Sequence, residues 1–223
     1  MKYRHEWKYE INHMDRLILR QRLRAIASQD ENTINGGYDI RSLYFDNLYD
    51  KALREKIDGV NQREKFRLRY YNGDTSMIRL EKKSKINGLC NKQSAVISEN
   101  EVQMILDGEY DFLKESGKLL LQEFYAKIKS QGLRPMVIVD YHREPYVYGP
   151  GNVRITIDSD MRTSRRVKGF LDWNTNMLPI KNSPTLLEVK WDEFLPDVIK
   201  EAVDLGNRRV GAFSKYAASR IYG

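Results

Sequence analysis

The stretch Glu64 to Lys83 reads E-K-F-R-L-R-Y-Y-N-G-D-T-S-M-I-R-L-E-K-K. Side chains alternate across a strand, so Lys65, Arg67 and Arg69 share one face while Phe66, Leu68 and Tyr70 share the other. Asn72-Gly73 supplies the positive φ angles of a tight hairpin turn. On the return strand Arg79, Glu81 and Lys83 take one face, and Ile78 and Leu80 the other. Two facing rows of mostly cationic side chains repel one another unless an anion or carboxylates lie between them. One such hairpin suits a solvated basic face as well as an anion site. The deciding question is whether other strands repeat it.

They do. Toward the N-terminus, Arg4, Glu6, Lys8 and Glu10 alternate with Tyr3, His5, Trp7, Tyr9 and Ile11. Arg154, Thr156 and Asp158 oppose Val153, Ile155 and Ile157, while Glu188 and Lys190 oppose Leu187, Val189 and Trp191. Between these strands the pattern predicts helices over about His13 to Ser28, Glu99 to Leu106, Phe112 to Ser130 and Pro196 to Leu205, and a short one through Leu53 and Glu55. Further strands are predicted over Tyr38 to Asn47, after Asn87-Gly88 (with Lys92 inward), and from Pro135 through Arg143. Arg162, Arg165 and Arg166 read as a loop, and the tail bearing Lys215 as helical. No linker or repeat divides residues 1–223, which read as one domain.

The helices need an apolar surface, and only the apolar strand faces offer one. The expected fold is therefore α+β: a closed antiparallel barrel with its charged faces inward and the helices packed outside. A lumen of this kind must stay wet or hold an anion.

Composition narrows the function. The formal net charge of +7 points to an anionic partner. No apolar run approaches the roughly 20 residues of a membrane span, and the first residues lack a signal-peptide core. The lone cysteine, Cys90, forms no internal disulfide and fits the cytoplasm. Three scattered histidines offer no zinc spacing. There is no P-loop, no G-x-G-x-x-G after a strand, no G-x-S-x-G and no triad. Phosphoryl transfer, which needs positioning and charge rather than a protein nucleophile, fits this chemistry.

The acids narrow it further. Glu6, Glu81, Asp158 and Glu188 fall on the same faces as the cations. Carboxylates repel a nucleic-acid backbone, so nucleic acid is disfavoured. They are hard oxygen ligands for Mg²⁺ or Mn²⁺ on a polyphosphate. Glu81 and Glu188 suit ion pairs with neighbouring Arg and Lys as well.

The order of E-x-K-Y (Glu6 to Tyr9), S-L-Y-F-D (Ser42 to Asp46), K-x-R-x-R-Y, L-E-x-K, a Y-x-R strand, R-I-T-I-D, L-E-V-K and S-K-Y resembles the VTC domain. This is the catalytic domain of the vacuolar transporter chaperone polyphosphate polymerase, in the triphosphate tunnel metalloenzyme superfamily. The resemblance implies a barrel of about eight strands and an enzyme that transfers the γ-phosphoryl group of ATP to inorganic polyphosphate. It implies that Arg67, Arg69 and Lys83 grip the nucleotide phosphates and that Arg143 and Arg154 extend the cradle. Lys8, Lys65, Lys190 and Lys215 line the path of the chain, and Glu188 binds Mn²⁺ or Mg²⁺, with Glu6, Glu81 and Asp158 as further acids. Where the superfamily often begins E-x-E-x-K, Arg4 replaces the first acid, which argues against a second metal there. With this domain alone, export of product is expected to need a membrane-protein partner. An inorganic triphosphatase in the same tunnel and a non-catalytic polyphosphate- or nucleic-acid-binding module are the alternatives.

Overall fold

A computed structural model describes residues 4–223; Tyr3, read as part of the first strand's apolar face, lies outside them. The strands are β1 (His5–Ile11), β2 (Ser28–Gln29), β3 (Tyr38–Asp46), β4 (Arg63–Tyr71), β5 (Asp74–Ile86), β6 (Leu89–Ile97), β7 (Arg134–Tyr148), β8 (Val153–Ser164), β9 (Leu178–Pro179) and β10 (Thr185–Trp191). The helices are α1 (His13–Ile26), α2 (Lys51–Ile57), α3 (Glu99–Asp107), α4 (Phe112–Glu115), α5 (Leu119–Gln131), α6 (Asp197–Val203) and α7 (Lys215–Ile221).

Eight strands form one antiparallel path, β1-β10-β8-β7-β3-β4-β5-β6, with β2 and β9 as short additions. The hairpin turns form as read: Asn72-Gly73 and Asn87-Gly88 all take positive φ. The expected closed barrel is not completed, because β1 and β6 meet only at an isolated bridge, Arg4 to Cys90. The sheet is a curled, incompletely closed barrel. Side-chain pairing takes the place of a ladder near this seam, with Lys83 of β5 lying 3.3 Å from Glu6 of β1.

The outer faces pack as expected. Phe66, Leu68, Leu80 and Ile138 are buried under α3, α4 and α5, and Ile155, Leu187 and Val189 under α1 and α6. Asn12 caps α1 in a reciprocal box with Asp15. The single helix expected over Phe112 to Ser130 is two, because Gly117 takes φ 66 between them. Helix α1 stops at Ile26, since Ser28 and Gln29 pair with β7 instead. Arg162 is not in a loop: β8 continues past a bulge and pairs it with Asp140 of β7.

The inner face is less uniform than its alternation promised. On β3 and β7, Tyr38, Ile40, Tyr44, Val137, Val139 and Tyr141 form an apolar cluster with Tyr216 of α7. Tyr216 is pinned there by a 2.7 Å hydrogen bond to Asp46. The charges occupy the other side of the interior.

Candidate functional site: a cation-lined tunnel

A cavity of about 430 Å³ occupies that side, lined by eleven Lys and Arg side chains and two carboxylates. All nine basic residues singled out by the sequence line it: Lys8, Lys65, Arg67, Arg69, Lys83, Arg143, Arg154, Lys190 and Lys215. Lys92 lines it too. Of the four acids, Glu6 and Glu188 face the cavity, while Glu81 and Asp158 lie buried behind its wall, 1% and 0% exposed.

The buried acids hold the guanidinium forks. Arg67 reaches one oxygen of Glu81 through Nε at 2.7 Å and Nη2 at 2.6 Å, with Arg69 at 3.8 Å and Lys92 against the other oxygen. Burial alone raises the Glu81 pKa, but Arg67, Arg69 and Lys92 outweigh it and hold the carboxyl far below its usual range. Arg143 grips Asp158 bidentately at 2.6 and 2.7 Å, and Lys215 donates to the same carboxylate at 2.6 Å. These two cations likewise overcome burial and depress Asp158. Near the tunnel's rim Arg154 donates to Asp30 and to the Tyr38 hydroxyl, each at 2.8 Å.

The facing acids share lysines. Lys190 lies 2.6 Å from Glu188 and 3.4 Å from Glu6, and Lys8 lies 3.6 and 3.3 Å from the same two. Lys83 adds a 3.3 Å contact to Glu6, and Arg143 reaches Glu188 at 3.8 Å. Burial favours protonation of Glu188, but Lys190 and Lys8 hold it well below the carboxylate range. Burial, with Lys83 and Arg143 nearby, brings Lys190 down to about 8 despite Glu188 and Glu6.

Lys65 has no acid partner among the described residues. Burial lowers its pKa to about 7, helped by Lys83, Arg67 and Lys8 and opposed by Tyr44, whose ring lies 5.6 Å from its ammonium. Tyr44 accepts a 3.2 Å hydrogen bond from Arg67. Against its burial, Arg67, Lys65 and Arg69 pull its hydroxyl down to about 7.

Sequence reasoning passed over Tyr44 and Tyr141, whose hydroxyl accepts from Arg69 at 2.8 Å. Both stand in quoted motifs and could have been placed by pairing strand faces. Asp30, distant in sequence from Arg154, carries no such signal.

No group of three or more His, Cys, Asp or Glu suited to a metal ion occurs among the described residues. Mg²⁺ commonly takes only one or two carboxylates and completes its shell with water and substrate phosphates. Glu6 and Glu188, which share ammonium groups where a dication could sit, fit that demand. Glu81 and Asp158 are engaged by guanidinium groups.

A curled antiparallel sheet around cations braced by buried acids defines a triphosphate-tunnel-type domain. A family model of the VTC domain matches residues 3–221, and the chain belongs to that family. Among solved structures, a Bacillus halodurans protein provisionally described as an adenylate cyclase shares the fold. It has a TM-score of 0.50 and 13% identity over 85% of this chain and 80% of that one. The PH1819 protein of Pyrococcus horikoshii OT3 aligns with a TM-score of 0.44 and 15% identity over 90% of this chain and 84% of its own. No significant match was found among curated proteins. No helix among the described residues is long and apolar enough to cross a membrane.

Proposed function

We propose that this chain is a metal-dependent polyphosphate polymerase that moves the γ-phosphoryl group of ATP onto the end of an inorganic polyphosphate chain. The observation that carries this reading is the extent of the cationic path. A second chamber of about 130 Å³ shares Glu6, Lys8, Lys65 and Lys83 with the main cavity and adds Lys56, Arg63 and Lys85. A hydrolase needs only water as acceptor. A path of lysines beyond the triphosphate-sized cavity suits a second polyanion.

In the reaction a terminal phosphate oxygen of the chain attacks the γ-phosphorus and the bond to the β-phosphoryl oxygen breaks, releasing ADP. Charge spreads over the transferring group, so catalysis is chiefly positioning and electrostatics. Arg67 and Arg69, fixed by Glu81, and Arg143, fixed by Asp158, would hold phosphoryl oxygens in line. Arg154, Lys83 and Lys215 complete the cradle, and Lys8, Lys65 and Lys190 line the acceptor side. Bound Mg²⁺ or Mn²⁺ would neutralise phosphoryl oxygens, and Glu6 and Glu188 are the residues to hold it. We place the reaction in the cytoplasm, where ATP is supplied and a thiol such as Cys90 stays reduced.

Pure protein incubated with ATP and Mn²⁺ should yield long polyphosphate. Free phosphate without polymer would instead identify a triphosphatase, and binding without turnover a binding module. Metal allocation is tested by titrating Mn²⁺ against activity. Glu188→Gln should shift the midpoint upward and be partly rescued by excess Mn²⁺, whereas Glu81→Gln should leave the midpoint in place. An unchanged midpoint in Glu188→Gln removes that residue from the metal site.

A further inference from the structure

Past Arg69, the inner face of the β4-β5-β6 sheet runs on beyond the ring of paired charges. The register sets Arg79 beside Arg69 and Val96 beside Arg79, and alternation puts Met77 on the same face. Tyr71 lines the cavity at this end, its ring 5.5 Å from Tyr38 and edge-on to it. Met77 and Val96 are 53% and 44% exposed, which leaves apolar surface at the mouth of a cationic tunnel. Arg79 donates to the Met77 sulfur at 3.4 Å and has no acid partner among the described residues. In contrast, Arg67, Arg69, Arg143 and Arg154 each lie against a carboxylate.

The other end is built differently. Its chamber of about 130 Å³ is below the usual size of a small-molecule pocket. A strap crosses it, tied by the Gly211 amide to the Lys8 carbonyl at 2.8 Å and by Lys56 to the Ala212 carbonyl at 3.2 Å.

We infer that Tyr71, Met77, Val96 and Arg79 form a shelf for the nucleoside of ATP, from which the triphosphate runs inward past Arg69 to Arg67. The shelf rests on the assignment of the cavity to triphosphate and adds the direction in which the nucleotide lies. A phenol ring, a thioether and a guanidinium present the flat and polarizable surfaces on which a base stacks. An arginine without an acid is free to meet the α-phosphate. The γ-phosphate then points toward Lys65 and the narrow chamber, so the acceptor chain lies on that side.

The test is calorimetric titration of the full chain with ATP and, separately, with inorganic triphosphate. Met77→Ala and Val96→Ala, at exposed shelf positions outside the cavity lining, should each weaken ATP binding severalfold and leave triphosphate within about twofold. Met77→Leu should restore the apolar surface and the ATP affinity. Met77 is exposed, so its variants do not depend on refolding a core. If wild type binds both ligands and neither variant changes the ratio of their affinities, the shelf is wrong and the cavity assignment stands. If wild type binds neither, the cavity assignment falls and the shelf with it.

Discussion

The two sides of the barrel interior follow the same alternation of side chains yet are filled by opposite chemistry. On the β3-β7 side the inward positions are Tyr38, Ile40, Val137 and Val139, closed by Tyr216 of α7. On the other side they are Lys8, Lys65, Arg67, Lys83 and Lys190, which line a cavity. The apolar side is buried and holds the curled sheet together from within. It needs no counter-charge and offers none. The charged side cannot be dry, since unpaired buried cations cost several kcal/mol each. It is tolerated because the cavity admits solvent and because Glu81 and Asp158 stand behind the arginines. A small domain can thus keep an anion-binding lumen by confining it to part of its interior.

The largest effect should come from removing a bracing acid. Asp158→Asn leaves Lys215 without its counter-charge and Arg143 with only the 3.8 Å contact to Glu188, the two cations being 12% and 11% exposed. The expected loss is about 3–5 kcal/mol at neutral pH, read by urea denaturation. The folded carboxyl is depressed, so its stabilisation is complete above the ordinary carboxylate pKa of about 4 and is lost as pH falls through the lower folded value. The gap between wild type and variant should therefore close in acid. A gap that persists there would assign the effect to shape.

The apolar side should answer in stability alone. Ile40→Ala should cost about 2–4 kcal/mol through lost burial and a cavity, with triphosphate affinity within about twofold. A parallel fall in affinity would show that the two sides are not separable. Arg154→Ala should do the reverse. Its side chain is 38% exposed, so melting should shift little, while triphosphate affinity drops by about 1.5–3 kcal/mol, the range for a charge-assisted contact. Arg67→Ala should lower both, because it also takes a partner from buried Glu81.

The smallest effect is in pH. Lys65, at about 7, and Lys190, at about 8, lose their protons as pH rises from about 6 to 8.5, and Tyr44, at about 7, gains negative charge over the same interval. All three changes disfavour an anion, so triphosphate affinity should fall severalfold, by about 1 kcal/mol. Lys65→Arg, which keeps its charge, should flatten the curve. A flat wild-type profile at constant ionic strength would mean that neither lysine meets the phosphates.

Local alternation was enough to bring out much of this protein from its sequence. The period of two placed Arg67, Arg69, Lys83, Arg154, Glu188 and Lys190 on the faces that line one cavity, because side-chain direction in a strand is set by the backbone itself. The Asn-Gly turns and the helix capped by Asn12 were legible because left-handed turn residues and helix caps are also local preferences. Tertiary structure decided which charges meet. A plain two-residue hairpin that sets Tyr71 opposite Asp74 would place Ser76 beside Arg69, but a register shift places Arg79 there and Glu81 beside Arg67. Asp158 meets Lys215, and Arg154 meets Asp30 across 124 positions. The apolar filling of the β3-β7 side depends on α7 folding back between strands that are remote from it in sequence. Such pairings are fixed by how the whole sheet curls, and a local period carries no record of that.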